Sequence, residues 1–298
     1  MQCDRCKREA VLWQEYSGRH LCRQHFEIDL ESKAKRTIRI HHWLSPGDHI
    51  AVALSGDSAT GALLYFLKKL TAERRDVQVS AICIDEGIGS FRDLSKVTET
   101  ARSLNTPCAC GSFYREYGVT MDEIVRQKGT AHACRYCRVL RRTLLDRIAR
   151  TAGVTKLALG SSLDDGARDV LSDMLCGDAE RLIVSHRTAA GVVPTIQPFM
   201  HVPAHELCIY ADMHVGECTP PLCPYAGNPL QADIRTVLDE YTAGHPATKH
   251  ALVNLRGELS LCCCNDAAII PACARCGEPG TGSCRNCGAL DEFGGGVT

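Results

Sequence analysis

His49-Ile-Ala-Val-Ala-Leu54, then Ser55-Gly-Asp-Ser-Ala-Thr-Gly61, then Ala62-Leu-Leu-Tyr-Phe-Leu-Lys-Lys-Leu70 read as a strand, a small-residue loop and a helix. A loop at a helix N-terminus presents unpaired backbone N–H groups and the positive end of the helix dipole, an arrangement that suits phosphate. Working outward, Val77 to Ile84 reads as a second strand ending at Asp85-Glu86-Gly87, and Leu157 to Gly160 as a further strand ending at Ser161-Ser162-Leu163-Asp164-Asp165. Between them Cys134-Arg-Tyr-Cys137-Arg138-Val-Leu-Arg141-Arg142 opens a helix expected to run to about residue 151. Strands alternating with helices predict an α/β fold with a parallel sheet, whose ligands sit at the carboxyl ends of the strands.

The chain has 298 residues, enough for one substantial core with small appendages. A net charge of −1 gives no field that would drive nucleic-acid binding, so any RNA contact must come from a local patch. The N-terminus carries no signal sequence and no apolar run reaches membrane-spanning length, so a soluble, cytoplasmic protein without membrane partners is expected. In such a reducing setting the close Cys-x-x-Cys pairs among the 19 cysteines read as metal ligands rather than disulfides.

Their spacing agrees. Cys3-x-x-Cys6 and Cys22-x-x-His25 each place two ligands on one tight turn, and together they make a tetrahedral zinc set, with His20 as a rival imidazole. Cys273-x-x-Cys276-Gly and Cys284-x-x-Cys287-Gly form a zinc-ribbon-like set near the C-terminus, with a glycine after each pair to let backbone turn toward the thiolates. From Phe26 to Leu44 apolar residues recur at near-helical intervals and predict a connecting helix with a basic face at Lys33, Lys35, Arg36 and Arg39.

The order of these parts resembles the TtuA-type tRNA 2-thiolation enzymes, members of the PP-loop ATP pyrophosphatase superfamily. The N-terminal finger, Ala51-Val-Ala-Leu-Ser-Gly56, Asp85-Glu-Gly-Ile-Gly89, Cys134-x-x-Cys137-x-x-Leu140-Arg-Arg142, Leu163-Asp-Asp165, Cys223-Pro-Tyr-Ala226 and the four C-terminal cysteines carry the resemblance over nearly the whole chain. It implies a nucleotide-alpha-hydrolase-like PP-loop core over residues 49–260, an N-terminal zinc finger over 1–26, a linker helix over 27–48, and a C-terminal zinc ribbon and tail over 261–298. It also implies a 4Fe-4S cluster held by Cys134, Cys137 and Cys223 with one iron open, two zinc ions, and ATP with Mg2+. The nucleotide would be shaped by Ser55, Gly56, Asp57, Ser58, Thr60, Asp85 and Gly160, while Asp164 and Asp165 would serve metal binding or proton transfer. Three soft thiolates suit a sulfur cluster independently of the resemblance. Cys218 is a candidate fourth ligand that would close the open iron.

Three departures bear on function. An ungapped alignment of the S-G-G-x-D-S/T phosphate loop puts Asp57 at the second glycine, Ala59 at the aspartate and Thr60 at the hydroxyl, so a carboxylate adds bulk and like charge against a pyrophosphate. Ser161 and Ser162 stand where histidine and asparagine are usual before the paired aspartates, and Pro198-Phe199-Met200 replaces a P-L-R run. Thiolation of a tRNA uridine is the leading expectation, with a sulfur-donor protein or inorganic sulfide as source and a homodimer as an assembly to test. The alternatives are an ATP-independent Fe–S sulfur transferase or desulfidase, and a non-catalytic RNA- or partner-binding paralogue using Arg138, Arg141 and Arg142.

The other cysteines are less informative. Cys83 reads as a core residue in a strand, Cys108 and Cys110 as members of a loop after Pro107 that approaches the cluster, and Cys176 and Cys208 as small apolar residues. Cys262-Cys263-Cys264 has no assigned role.

Overall fold

The computed structural model describes residues 1–89, 93–130, 133–184, 192–216, 223–225, 229–262 and 288. The cysteines expected to form a second zinc set (Cys273, Cys276, Cys284, Cys287), together with Cys218, Cys263 and Cys264, lie outside them.

The chain opens with a hairpin, β1 (Leu12–Gln14) against β2 (Arg19–Leu21), antiparallel. Helix α1 (Arg23–Ile40) follows at once. It starts before residue 26 because Cys22 is its N-cap and His25 already sits in its first turn. Phe26, Leu30, Ala34 and Ile38 recur on one face, and all four are buried in the main core, so this helix is built into the core rather than spanning a gap.

The central sheet comes next: β3 (His49–Ala53), α2 (Ser58–Leu70), β4 (Gln78–Asp85), α3 (Leu94–Ser103), β5 (Cys108–Ser112), α4 (Phe113–Tyr117), α5 (Met121–Lys128), α6 (Ala133–Thr151), β6 (Lys156–Ala158), α7 (Leu163–Leu175), α8 (Ala179–Val184) and β7 (Thr195–Ile196). Helices α9 (Ala204–His214), α10 (Pro229–Gly244) and α11 (Thr248–Cys262) follow. The sheet order is β5-β4-β3-β6-β7 and every described pairing is parallel, as the strand and helix alternation predicts. The chain walks from β3 to one edge and then returns to the other side of β3. The switch point, where doubly wound sheets bind ligands, therefore lies between the carboxyl ends of β3 and β6.

Each sheet face carries its own core. Ile50, Val52, Ala81 and Cys83 face α1, α2 and α9, while Ala51, Ile82 and Ile84 face α6 with Val139, Leu140 and Leu144. Side chains alternate across a strand, so neighbours such as Ile82 and Cys83 belong to opposite faces. Gly111 lets α6 close on the edge strand, since a Cβ there would meet Ile148 at 2.6 Å and Leu144 at 3.1 Å. A third cluster, Leu163, Ala167, Ile234, Leu238 and Val253, packs α7 against α10 and α11.

Candidate metal centres and nucleotide crevice

The N-terminal set is assembled by the hairpin and the start of α1. Cys6 N–H donates to the Cys3 carbonyl, Phe26 N–H to the Cys22 carbonyl, and Asp4 N–H to the His20 carbonyl, which pins the two ligand turns together. Cys3 Sγ lies 3.3 Å and Cys22 Sγ 3.5 Å from His25 Nδ1, Cys6 and Cys22 sulfurs are 3.6 Å apart, and all four ligand atoms fall within 4.8 Å of one another. A tetrahedral zinc site with bonds of roughly 2.0–2.3 Å has edges of about 3.5–3.8 Å, so the three closest pairs already stand near such edges and the four residues fit the ion with small side-chain adjustments. Burial opposes a charged Cys3 thiol, yet the backbone N–H groups of Cys22 and Arg5 and the His25 ring bring its pKa down to about 6. His20 is turned elsewhere, its ring tilted against Trp13 with centroids 4.4 Å apart and facing Asp4.

This module is anchored to the core by a buried carboxylate. Glu206, fully enclosed, accepts from Gln14 Nε2 at 3.1 Å and Tyr16 Oη at 2.7 Å and faces Lys33 Nζ at 3.4 Å. The sequence reading missed it. Its partners lie far apart in the chain, and nothing in local spacing signals them.

At the other centre, Cys134 and Cys137 stand one turn apart at the start of α6, so both project from one side of the helix. Cys134 is exposed; Cys137 and Cys223 are half-buried and pack against the α6-side core together with Tyr225. Cys134 Sγ is 3.8 Å from the Tyr225 carbonyl, so the helix start and the distant Cys-Pro-Tyr turn meet. Arg141, one turn beyond Cys137, places Nη2 3.4 Å from its sulfur and 2.7 Å from Glu86 Oε1. Burial pushes the Cys137 thiol up, with the Arg141 guanidinium opposing it. Of the three arginines expected as a patch, Arg141 is thus committed to Glu86 and Cys137.

Two unpredicted residues hold this arrangement. Glu86, buried at the carboxyl end of β4, grips Arg141. Asp122 on α5 accepts from Tyr225 Oη at 2.6 Å and from Gly89 N–H at 3.0 Å, tying the Cys-Pro-Tyr turn to the loop after β4. The faint signal was the Asp-Glu-Gly-Ile-Gly run itself, read for Asp85 rather than for Glu86. Asp85 turns back to accept from Gly87 N–H at 2.9 Å.

At the switch point the small-residue loop is occupied by its own side chain. Residues Ser58 to Gly61, read as loop, form the first turn of α2, and Asp57 is the N-cap: its Oδ1 accepts from Thr60 N–H at 2.8 Å, and Ser55 Oγ donates to its other oxygen. Gly56 takes a φ of +84°, the left-handed conformation that glycine tolerates. Gly160 lies against Thr60, where a Cβ would come within 2.8 Å of Thr60 Cγ2, so Ser55, Gly56, Asp57, Thr60 and Gly160 are brought together. The carboxylate of Asp57 thus takes a helix-start N–H that a phosphate oxygen would otherwise accept from.

The paired aspartates have structural partners. Asp165 closes a capping box with Ser162 at the start of α7 and pairs with Arg168. Asp164 accepts from Ala204 N–H at 2.6 Å and from Lys249 Nζ at 2.8 Å. Burial would raise its pKa, but these partners outweigh it and hold it below the ordinary carboxylate value. Asp164 therefore pins α7 to α9 and α11, while Asp165 stabilises the first turn of α7 itself. Phe199, in the run that replaces P-L-R, is fully buried against Phe66 in the core.

Residues 2–27 match the family profile "2-thiouridine synthetase TtuA, N-terminal LIM domain". Over its length the chain is 30% identical to the tRNA 2-thiolation protein NcsA of Haloferax volcanii, covering 98% of this chain and 99% of that protein. It is 28% identical to the cytoplasmic tRNA 2-thiolation protein 1 of Xenopus laevis, covering 98% and 88%. The fold matches the solved U34-tRNA thiolase NcsA of Methanococcus maripaludis with its 4Fe-4S cluster at a TM-score of 0.85 and 23% identity, over 98% of this chain and 96% of that one. With near-complete mutual coverage at that identity, the chain belongs to the TtuA/NcsA-type tRNA 2-thiolation family.

Proposed function

We infer that the chain is an Fe–S-dependent sulfurtransferase that 2-thiolates a uridine in tRNA in the cytoplasm. The observation that carries this reading is the convergence of Cys134, Cys137 and Cys223, two from a helix start and one from a distant turn, beside a buried Glu86–Arg141 pair. Family membership agrees with it, as do relatives named for tRNA 2-thiolation. Among the described residues no helix is long and apolar enough to cross a membrane.

The donor set fits a sulfur cluster: three soft thiolates partly shielded by apolar side chains, with one guanidinium to offset their charge. When bound, such a cluster supplies an iron with a free coordination position that can take up sulfide. The protein's own part is positional. Glu86 fixes Arg141 against Cys137, and Asp122 fixes the turn that presents Cys223. Cys3, Cys6, Cys22 and His25 would hold a structural zinc with all four positions filled by protein, which stabilises the hairpin and supplies no catalytic chemistry.

The Asp57 cap favours a second reading within the same activity class, sulfur transfer without ATP. A single preparation separates the readings. Protein purified and reconstituted without oxygen is expected to hold about four iron atoms per chain through Cys134, Cys137 and Cys223, and to convert uridine to 2-thiouridine in unmodified tRNA, read by mass spectrometry of nucleosides. Thiolation with ATP omitted selects the ATP-independent reading. Loss of iron without loss of thiolation, or no thiolation by the iron-loaded protein with or without ATP, overturns the proposal.

A further inference from the structure

Apart from the zinc set, the described residues contain one other compact group of metal-type ligands: Cys83, Cys108 and Cys110, whose sulfurs all lie within 4.8 Å of one another. Sequence reading placed Cys108 and Cys110 in a loop approaching the Fe–S ligands. They are instead in β5, the edge strand, with Cys110 directly opposite Cys83 of β4. Cys-x-Cys in a strand puts both thiols on one face. That face is the one Cys83 and Cys108 share with Val97 and Ala101 of α3, whereas Gly111, the next residue, faces Leu144 and Ile148 of α6. The trio is therefore on the opposite side of the sheet from Cys137 and cannot supply ligands to that centre.

In the structure Cys83 and Cys110 are joined as a disulfide, with Cα atoms 4.8 Å apart, the ordinary spacing of paired strands. A staple needs two sulfurs, and this site has a third within reach of both. Cys83 is 1% exposed, Cys108 half-buried and Cys110 exposed, so the group has a buried floor and an open mouth at the sheet edge. The donor set is sulfur alone, the chemistry that selects thiophilic ions. Sulfur positions around one zinc ion are about 3.8 Å apart, so side-chain rotations close the reduced trio onto an ion, with water reaching the fourth position past Cys110.

We propose that Cys83, Cys108 and Cys110 form a redox-gated zinc site: reduced, three thiolates hold one Zn2+; oxidised, Cys83 and Cys110 close as a disulfide and the ion leaves. The oxidant class is a low-molecular-weight disulfide. Two electrons pass from the Cys83 and Cys110 sulfurs to its S–S bond, which breaks into two thiolates while the Cys83–Cys110 bond forms. Zn2+ is released, and the Cys108 sulfur left behind takes a proton from water. The reducing setting expected for the chain favours the loaded form.

The test uses the full chain, reduced with a phosphine, equilibrated with Zn2+ and dialysed, with zinc per chain measured by elemental analysis. The unmodified protein is expected to hold one zinc more than either Cys108→Ser or Cys110→Ser, whatever the other sites contribute. Cys110 is exposed on an edge strand, so its variant keeps the comparison valid if Cys108→Ser misfolds, which circular dichroism reports. Oxidised glutathione should abolish the difference and yield a Cys83–Cys110 linked peptide with Cys108 open to alkylation. Equal zinc in the unmodified protein and a folded variant, or a Cys83–Cys110 link that survives reduction of the native protein, overturns the proposal and leaves a static staple.

Discussion

Replacing Asp57 by asparagine isolates charge from shape at the switch point. Asparagine caps a helix about as well as aspartate, so the hydrogen bond to Thr60 N–H, 2.8 Å long in the structure, can be kept while the negative charge goes. The loss of one anion from the helix start costs about 0.3–1 kcal/mol of stability. Against that stands repulsion of the ligand: a unit charge about 4 Å from another, at an effective dielectric of about 20, contributes about 4 kcal/mol. This sets a ceiling of roughly a thousandfold on the gain in phosphate affinity, since about 1.4 kcal/mol is tenfold. Magnesium and solvent screening reduce the gain, and at least tenfold should remain.

Calorimetric titration with ATP and Mg2+ provides the measurement. The unmodified protein is expected to bind weakly, Asp57→Asn more tightly, and Asp57→Gly with Ala59→Asp more tightly still, because the double change also lets backbone approach the phosphates. Tight magnesium-dependent binding by the unmodified chain would refute the reasoning, because it would mean the Asp57 carboxylate leaves the helix start at little cost. An unchanged affinity in Asp57→Asn would show that charge is not what limits binding.

Three further outcomes follow from other parts of the molecule. Glu206→Ala leaves Tyr16 Oη without its acceptor, while Lys33 and Gln14 lose one carboxylate but keep Asp29 at 2.7 and 3.0 Å, so the loss in urea-unfolding stability should be about 1–3 kcal/mol; a change under about 0.5 kcal/mol would contradict the anchoring role. Zinc chelation should raise hydrogen exchange in β1 and β2 but leave β3, β4 and β6 protected, and simultaneous loss of protection in the sheet would argue against separable modules. Burial, with His201 and Lys33 nearby, brings His250 from 6.5 down to about 4; its neutral ring therefore contributes fully above about 6.5 and its contribution is lost as pH falls toward 4, so thermal stability should decline across that window more steeply than in His250→Gln, and parallel curves would rule this out.

The legible parts of this fold are those whose signals are contiguous. β3, its loop and α2 sit in one run of the chain, and the zinc pairs of the N-terminus each occupy one turn, so spacing alone brings their ligands to mind. β5 was opaque for a physical reason: Cys-Ala-Cys-Gly-Ser lacks the β-branched and aromatic residues that mark strands and follows a proline, yet an edge position with one neighbour tolerates it. β7, at two residues, carries no period at all. The paired aspartates show the opposite failure. Their residue type suggests chemistry, and only the positions of Ala204, Lys249 and Ser162 reveal capping and pairing. The Glu206 network joins residues 192 positions apart, a separation across which no pattern in the chain is visible.

The two candidate centres at the carboxyl end of the sheet share a scaffold but not their side chains, so a change in one need not disturb the other. Asp57 acts through Ser55 and Thr60, all within the turn that joins β3 to α2. Cys137 is held by Arg141 and Glu86, and the Cys223 turn by Asp122, all on α5, α6 or the loop after β4. The interactions that position Asp57 include none of these residues, so a carboxylate where the resemblance expects the loop's second glycine would take room from a phosphate without loosening a thiolate. The link that remains is β4 itself, paired with β3 from Gln78 to Ile82 and continuing into Glu86. A ligand in the crevice would therefore influence the thiolates only by moving a strand buried between two cores, which close packing resists. The geometry accordingly favours a sulfur centre that is preorganised regardless of the nucleotide, and under which the loss of ATP binding would alter how the tRNA base is activated while leaving the thiolates in place.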